Sequence, residues 1–274
     1  MARWQTMLRP LLLLLGCVIY DGPVFGEIIQ MPVDYNGRPI QVPLTYEKPQ
    51  GPGPFALVIL LPGCSAEVDR GLPLWANQLH AWGYATLRIE GMAVRGLANI
   101  CDNLDTMKAI AVEQSKDVFA AARTMEGRPD IVPNKIAVLG RSLGSNGIVW
   151  YVTRDLPLVD AAQAAAAQHG GKIVAAIAVM PNCSPNAATA PVAMPLLILA
   201  GGLDDWNLAS QCADFASAPG NAVKVRIKIY PTATHGWDWP GANTIYFGHK
   251  VIYNLPATQD SYAQARAFLD QYLH

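Results

Sequence analysis

Charged side chains are scarce in this sequence. They make up 15% of its 274 residues, and the formal net charge at pH 7 is −1. Proteins that bind nucleic acids usually carry a clustered excess of Lys and Arg, so this composition predicts no nucleic-acid partner. Because 51% of the residues are hydrophobic, a chain of this length is expected to bury one large core and to recognise its partners by shape and local chemistry.

The sequence also lacks the apolar run of roughly 20 residues that a membrane-spanning helix needs. Residues 11–20 form a shorter apolar stretch that follows Arg3 and Arg9 and precedes Val24-Phe25-Gly26. This pattern is typical of a secretory signal peptide. We therefore predict a signal over residues 1–26, one domain over residues 27–274, and a secreted or periplasmic location. An uncleaved anchor is one alternative, and a lipid anchor at Cys17, in Leu14-Leu15-Gly16-Cys17, is another.

Cysteine is infrequent, with five residues in the sequence. If Cys17 leaves with the signal peptide, an even number remains: Cys64, Cys101, Cys183 and Cys212. In an oxidising compartment an even number favours two disulfides, and four buried free thiols are the alternative. None of the pairs has the spacing of a zinc site, so we expect no structural metal.

Beyond the signal, short apolar runs alternate with longer amphipathic stretches. Two strands around the Asn36-Gly37 turn signal predict a hairpin. Further strands are predicted over 55–61, 84–89, 135–139, 173–180, 195–200 and 223–230. Helices are predicted over 72–82, 104–125, 145–152, 160–168, 208–216 and 258–273. This alternation predicts an α/β fold: a mostly parallel, twisted sheet of about eight strands with helices on both faces and the hairpin at one edge.

Gly140-Arg141-Ser142-Leu143-Gly144 follows one of these predicted strands and leads into a predicted helix. G-x-S-x-G in this position is the nucleophile elbow of α/β-hydrolases, in which a tight turn presents the serine at the edge of the sheet. The following helix directs backbone N–H groups toward the serine. The sequence therefore predicts Ser142 as a nucleophile, with the backbone N–H of Leu143 as one oxyanion donor.

An acid and a base follow two later strands in the order that this fold requires. Asp204 and Asp205 come after the strand at 195–200, and His235 comes after the strand at 223–230. A serine hydroxyl needs a base to remove its proton, and the base needs an acid to orient it. We predict Asp204 as the acid, with Asp205 as the alternative; the other carboxylate is expected to cap the helix that starts near Leu208.

The remaining histidines, which follow none of the strands in this way, are expected to be solvated or structural: His80, His169, His249 and His274. A metal site made of His235, Asp238 and His249 is a weaker alternative.

The second oxyanion donor is expected in the loop after the strand at 55–61, where Gly63 allows a close backbone approach. The backbone N–H of Cys64 is the predicted donor, and an ordinary glycine turn is the alternative. Cys64 and Cys101 follow adjacent core strands at one edge of the sheet, and Cys183 and Cys212 flank the loop that carries Asp204. This placement predicts the bridges Cys64–Cys101 and Cys183–Cys212.

Taken together, these motifs resemble the dienelactone hydrolase family, and in particular its exported, cysteine-containing members. The resemblance extends from Pro54 to the C-terminus. It is carried by Leu61-Pro62-Gly63-Cys64-Ser65, Trp75, Gly83-Tyr84, Arg95-Gly96 with Cys101, the elbow, Gly201-Gly202-Leu203-Asp204-Asp205-Trp206 with Cys212, Tyr230-Pro231, His235-Gly236-Trp237-Asp238, and the closing stretch from Tyr253 to Leu269.

The sequence departs from the family pattern at two positions. The enzymes that give the family its name use a cysteine nucleophile, where this chain has Ser142. Relatives of this branch usually have His-Gly in the oxyanion loop, where this chain has Pro62-Gly63. The first departure argues against dienelactone as the substrate, and the second affects the acyl side of the site without removing the backbone donor.

The resemblance implies hydrolysis of a small-molecule carboxylic ester or lactone, without a cofactor. Four tryptophans are candidate walls of the substrate pocket, with core packing as the alternative for each: Trp75, Trp206, Trp237 and Trp239. A peptidase or acyltransferase that uses the same three residues is a second hypothesis. An exported binding protein without turnover is a third. The sequence carries no signature of a particular acyl length or oligomeric state.

Overall fold

An eight-stranded sheet forms the centre of the protein in a computed structural model that describes residues 25–65, 70–154, 156–184 and 191–274. Cys17 and most of the predicted signal peptide lie outside these residues. The strands are β1 (Phe25–Tyr35), β2 (Arg38–Lys48), β3 (Phe55–Leu61), β4 (Ala85–Ile89), β5 (Ile131–Arg141), β6 (Ile173–Val179), β7 (Leu196–Gly201) and β8 (Val225–Tyr230). They are ordered β1-β2-β4-β3-β5-β6-β7-β8.

The predicted hairpin lies at one edge of this sheet. β1 pairs antiparallel with β2, and β2 pairs antiparallel with β4, whereas β4, β3, β5, β6, β7 and β8 are mutually parallel. Asn36 and Gly37 both have positive φ, 55° and 74°, as the tight turn of a hairpin requires. The mostly parallel sheet of eight strands is therefore confirmed, with its antiparallel strands at the expected edge.

Helices cover both faces of the sheet. They are α1 (Gly71–Ala81), α2 (Leu104–Thr124), α3 (Leu143–Gly147), α4 (Pro157–Ala167), α5 (Ala209–Ser217) and α6 (Leu255–Leu273). Side chains alternate along β3, so that Leu57, Ile59 and Leu61 pack on the side of α2, α3 and α5. Val58 and Leu60 pack on the side of α1 and α6. One hydrophobic layer thus covers each face of the sheet, because successive side chains of a strand point to opposite faces.

The strand order brings several loops to one edge of the sheet. β3 continues to its neighbour β4 on one side, and β5 continues to β6 on the other, so the direction of strand addition reverses between β3 and β5. Ligands of open α/β sheets bind outside the carboxyl ends of the strands at such a reversal. The loops after β3, β5, β7 and β8 therefore meet at the edge where a site is expected.

Two features of the fold differ from the sequence prediction. A second, two-stranded sheet formed by β9 (Asn243–Tyr246) and β10 (His249–Ile252) was not predicted. The helix predicted over 145–152 is instead the short α3 followed by a π-helical turn, Ile148–Val152. Among the described residues, no helix is both long enough and apolar enough to cross a bilayer.

Candidate active site

Ser142 lies in a tight turn between β5 and α3. Its φ of 49° and ψ of −114° are an uncommon conformation for a residue with a side chain, and such conformations concentrate at functional sites. The flanking glycines are sterically required. A Cβ atom at Gly140 would lie 2.6 Å from the Gly144 carbonyl oxygen, and one at Gly144 would lie 2.6 Å from the Leu61 carbonyl oxygen. The elbow therefore packs directly against the end of β3.

His235 and Asp204 meet Ser142 through a continuous chain of hydrogen bonds. The Nε2 atom of His235 lies 3.1 Å from the Oγ atom of Ser142. On the other side of the ring, Nδ1 lies 2.8 Å from Oδ2 of Asp204. All three residues were predicted from their positions after strands, and the structure brings them together. Asp204 and His235 are both buried, so the hydrogen bond between them is shielded from bulk water.

Of the two adjacent carboxylates, only Asp204 contacts the imidazole. The Asp205 side chain is 45% exposed and lies 3.4 Å from Nδ1 of His249, on β10. The expectation that this carboxylate caps the next helix is wrong. α5 begins at Ala209, and its N-cap residue, Leu208, makes no side-chain cap hydrogen bond. Asp205 instead faces the backbone N–H of Lys250, because the unpredicted hairpin of β9 and β10 packs beside it.

The loop after β3 forms part of the wall of the cleft. Gly63 and Cys64 line the same cleft as Ser142 and His235, and Leu143 is the first residue of α3. The carbonyl of Cys64 accepts a hydrogen bond of 3.0 Å from the Ile100 N–H. The disulfide Cys64–Cys101 fixes this loop from the side, and the second disulfide is Cys183–Cys212. Both predicted pairings are confirmed.

The cleft has an internal volume of about 70 Å³ and is lined largely by aromatic and apolar side chains. Two of the four predicted tryptophan walls, Trp206 and Trp239, line it, together with Tyr246 of β9. The ring of Trp206 lies 5.0 Å from the His235 ring and stacks on His249 at 4.4 Å between centroids.

Trp75 and Trp237 are not pocket walls. Both are fully buried in the hydrophobic layer beneath the site. The alternative of core packing applies to these two residues.

A buried ion pair borders the cleft, and its arginine, Arg141, is one of the residues that line it. Arg141 donates from Nε and Nη2 to the two carboxylate oxygens of Asp238 at 2.7 and 2.5 Å, and Trp75 Nε1 donates to Asp238 at 2.9 Å. Burial alone raises the pKa of the Asp238 carboxyl. The charge of Arg141 and these hydrogen bonds outweigh burial, so the pKa is lowered and the group is ionised. The pairing of Arg141 with Asp238 was not predicted from the sequence.

The weaker hypothesis of a metal site finds no support in the part of the chain that the structure describes. No group of three or more His, Cys, Asp or Glu side chains in that part is arranged to hold a metal ion. The Asp238 carboxylate is occupied by Arg141 and Trp75, and the Nδ1 atom of His235 is occupied by Asp204.

Comparison with known proteins identifies the family. The sequence model of the dienelactone hydrolase family matches residues 95–273. The chain belongs to the dienelactone hydrolase family. The resemblance inferred from its motifs is thereby confirmed, and membership of this α/β-hydrolase family makes the protein a hydrolase. A search of curated proteins gives no match.

Several solved structures share the fold at low sequence identity. A Klebsiella pneumoniae protein described as a candidate dienelactone hydrolase is 17% identical, with a TM-score of 0.66 over 92% of this chain and 100% of that one. A dienelactone hydrolase-like promiscuous phosphotriesterase from metagenomic libraries is 13% identical, with a TM-score of 0.65 over 92% and 99%. The Pyrococcus horikoshii acylaminoacyl peptidase is 13% identical, with a TM-score of 0.62 over 93% of this chain and 42% of its own.

Proposed function

We propose that this dienelactone hydrolase family member is an exported serine hydrolase of small carboxylic esters or lactones. Ser142 is its nucleophile, His235 its general base and Asp204 the acid that orients the base. The observation that carries this proposal is the unbroken hydrogen-bond chain from Ser142 through His235 to Asp204, with distances of 3.1 and 2.8 Å. Such a chain activates a hydroxyl that is otherwise a weak nucleophile.

The reaction begins when Ser142 Oγ attacks the ester carbonyl carbon while its proton moves to Nε2 of His235. Asp204 holds the proton on Nδ1 and stabilises the imidazolium that forms. The backbone N–H groups of Cys64 and Leu143 stabilise the negative charge on the former carbonyl oxygen. Collapse of the tetrahedral intermediate breaks the bond to the alcohol oxygen, which takes the proton from His235.

Water completes the cycle. His235 accepts a proton from a water molecule that attacks the acyl-serine, and the second tetrahedral intermediate releases the carboxylic acid and regenerates Ser142. In a lactone the alcohol and the acid belong to one molecule. The ring therefore opens in the first half of the cycle, the alcohol group stays attached to the acyl-serine, and the open-chain hydroxy acid is released in the second half. None of these steps needs a metal or a cofactor.

The cleft supports a small, uncharged acyl group. The internal volume of the cleft is about 70 Å³, and a single bound water molecule needs roughly 10–15 Å³ of internal volume. The cleft therefore accommodates an acyl group of only a few carbon and oxygen atoms. The side chains of Trp206, Trp239 and Tyr246 give the walls an aromatic character, which suits apolar groups.

A series of p-nitrophenyl esters tests this function. We expect the purified protein to hydrolyse the acetate and butyrate with a kcat/KM at least about tenfold above that for the octanoate, since each misplaced methylene changes the free energy by roughly 1 kcal/mol. Ser142→Ala is the matched control and should remove the turnover. Absence of turnover of every ester in the series would contradict the proposal.

The alternative of a peptidase has one observation in its favour, the shared fold of the Pyrococcus horikoshii acylaminoacyl peptidase. That protein is more than twice as long as the part matched here, since this chain covers 42% of it. Hydrolysis of an acyl-amino-acid p-nitroanilide by the same preparation, faster than hydrolysis of the p-nitrophenyl esters, would favour the peptidase.

Two further alternatives, a binding protein and an acyltransferase, can be tested with the same preparation. A binding protein without turnover would bind esters but fail to react with a fluorophosphonate at Ser142. An acyltransferase would transfer the acyl group to an added alcohol in preference to water.

The two disulfides support export, because disulfides persist in oxidising compartments. We therefore extend the proposal to a secreted or periplasmic location, reached through the predicted signal peptide. Acylation at Cys17 remains the alternative that mass spectrometry of the N-terminus distinguishes.

A further inference from the structure

Ser142 and His235 lie in loops that follow two strands, and these strands are not neighbours in the sheet. Ser142 follows β5 and His235 follows β8, and β6 and β7 lie between these two strands in the sheet. The sheet therefore does not fix the distance between the serine and the imidazole by hydrogen bonding. That distance depends on contacts among the loops that meet at this edge of the sheet.

One buried contact joins the two loops next to the reacting atoms. Arg141 immediately precedes Ser142, and Asp238 follows His235 by three residues, in a turn closed by the Trp239 N–H on the Gly236 carbonyl. The guanidinium of Arg141 donates hydrogen bonds to both carboxylate oxygens of Asp238, at 2.7 and 2.5 Å. A two-point contact of this kind fixes orientation as well as distance.

We propose that the Arg141–Asp238 ion pair is a positioning device for the proposed reaction, which holds the His235 loop at hydrogen-bonding distance from Ser142. Neither side chain is assigned a chemical step. The inference rests on the proposed function and adds to it two positioning residues outside the serine–histidine–aspartate chain.

The surroundings of the pair show a built arrangement. The side chains of Arg141 and Asp238 are 7% and 0% exposed, and Trp75 of α1 donates a further hydrogen bond of 2.9 Å to Asp238. The N-terminus of α1 packs onto the guanidinium so closely that a Cβ atom at Gly71 would overlap it. Helix α1 thus closes the pair from below.

Stability alone does not account for such a pair. Removing two charges from water is costly, and apolar side chains of similar volume often stabilise a fold equally well or better. An ion pair in this position is therefore expected to contribute geometry. A displacement of about 1 Å in a reacting group can lower a rate on the order of 100-fold, so even a small shift of the His235 loop should be visible in kcat.

The test compares Arg141→Lys with Arg95→Lys. Both substitutions keep a positive charge but lose the guanidinium fork. Arg95 forms an equally buried ion pair with Asp117, at 2.8 Å and with both side chains 2% exposed, and neither residue lines the cleft. It therefore controls for the general effect of weakening a buried ion pair.

We expect Arg141→Lys to lower kcat and the rate of fluorophosphonate labelling together, by about 10- to 100-fold, while KM changes by less than about threefold. Arg95→Lys should keep kcat close to that of the wild type at a temperature well below its melting point. A kcat for Arg141→Lys within about threefold of the wild type would overturn the inference, as would equal losses in the two variants.

A second variant covers the case in which Arg141→Lys does not fold. Trp75→Phe removes the indole N–H from Asp238 and leaves both charges in place. We expect it to slow labelling several-fold, and unchanged labelling would overturn the inference. A wild-type protein that is not labelled at Ser142 would instead overturn the proposed function, and this inference with it.

Discussion

At the scale of single residues, the two carboxylate oxygens of Asp204 have different partners. Oδ2 faces Nδ1 of His235 at 2.8 Å. Oδ1 accepts from the backbone N–H groups of Trp206 and Asn207, at 3.0 and 2.8 Å. These two backbone bonds lock the rotation of the carboxylate, so that Oδ2 is already aimed at the imidazole before a substrate arrives. Pre-organisation of this kind reduces the reorganisation that the reaction requires.

Exchanging this carboxylate for an amide gives a sharp contrast with its neighbour. Asp204→Asn should lower kcat/KM by about 10³- to 10⁴-fold, because an amide N–H facing Nδ1 favours the wrong imidazole tautomer. Asp205→Asn should lower it by less than about threefold, since exposed contacts of this kind contribute little. Steady-state kinetics with p-nitrophenyl acetate measure both. Equal, small losses in the two variants would show that another residue orients His235.

The residues of the site differed in how readable they were from the sequence. Ser142, Asp204 and His235 each follow an apolar strand, so their chain order and placement were sufficient to predict that they meet. The prediction that Asp205 caps a helix is wrong because its partner, His249, lies on a hairpin that the sequence does not predict. The pairing of Arg141 with Asp238 spans 97 residues, and no local pattern in the sequence encodes a contact at that separation.

At the scale of elements, the loop after β3 depends on a covalent brace. Cys64 and Cys101 both line the cleft, and their bridge closes a span of 37 residues. Chain-entropy arguments assign roughly 3–4 kcal/mol to a loop of this length, and about the same to the 29-residue span of Cys183–Cys212. The first bridge also holds the backbone of Cys64, the proposed oxyanion donor, whereas Cys183 and Cys212 do not line the cleft.

Removal of the two bridges should therefore have different consequences. The double variant Cys64→Ser/Cys101→Ser should lose activity at temperatures where its helix content, followed by circular dichroism, is still that of the wild type, because a loop at the edge of a sheet loosens before the sheet does. Cys183→Ser/Cys212→Ser should lower the melting temperature by a comparable amount with a smaller loss of kcat. Loss of activity only in step with unfolding in both variants would refute a role of the first bridge in the site.

The strands of the central sheet were predictable, whereas the small hairpin was not. β3, β6 and β7 are nearly all apolar, because helices cover both faces, and such runs are conspicuous in a sequence. β9 and β10 are four residues each and mostly exposed, so they lack a hydrophobic pattern. Their turn places Phe247 at φ 48° and Gly248 at φ 84°. A hairpin turn of this type is usually signalled by Asn or Asp at the first position, and Phe247 gave no such signal.

At the scale of the whole molecule, the parallel sheet is the frame that collects the site. Six parallel strands end at one edge, and the loops after β3, β5, β7 and β8 supply Cys64, Ser142, Asp204 and His235. Both layers of the core contribute, since α3 continues the elbow on one face and α1 supports the Arg141–Asp238 pair from the other. The geometry of the site is therefore a property of the complete domain.

The location of the protein is predicted by its first residues. Mass spectrometry of the exported protein should find Glu27, or a neighbour within a few residues, at the N-terminus, because Val24-Phe25-Gly26 matches a signal-peptidase site. Phe25 and Gly26 already pair with β2, so cleavage just before Glu27 would shorten β1 by two residues without disturbing the rest of the hairpin. A diacylated Cys17 at the N-terminus would instead make the protein a lipoprotein, and retention of residues 1–24 would indicate an anchor.

Reaction of the purified protein with a fluorophosphonate, followed by peptide mapping of the adduct, tests the proposed nucleophile. We predict a single adduct on Ser142 that forms in parallel with the loss of ester hydrolysis, is slowed in Asp204→Asn, and is absent in Ser142→Ala. The Ser142→Ala variant should keep the wild-type fold and lose about 10³-fold or more of its turnover. An adduct on another residue, or near-wild-type ester turnover by Ser142→Ala, would contradict the assignment of Ser142 as the nucleophile.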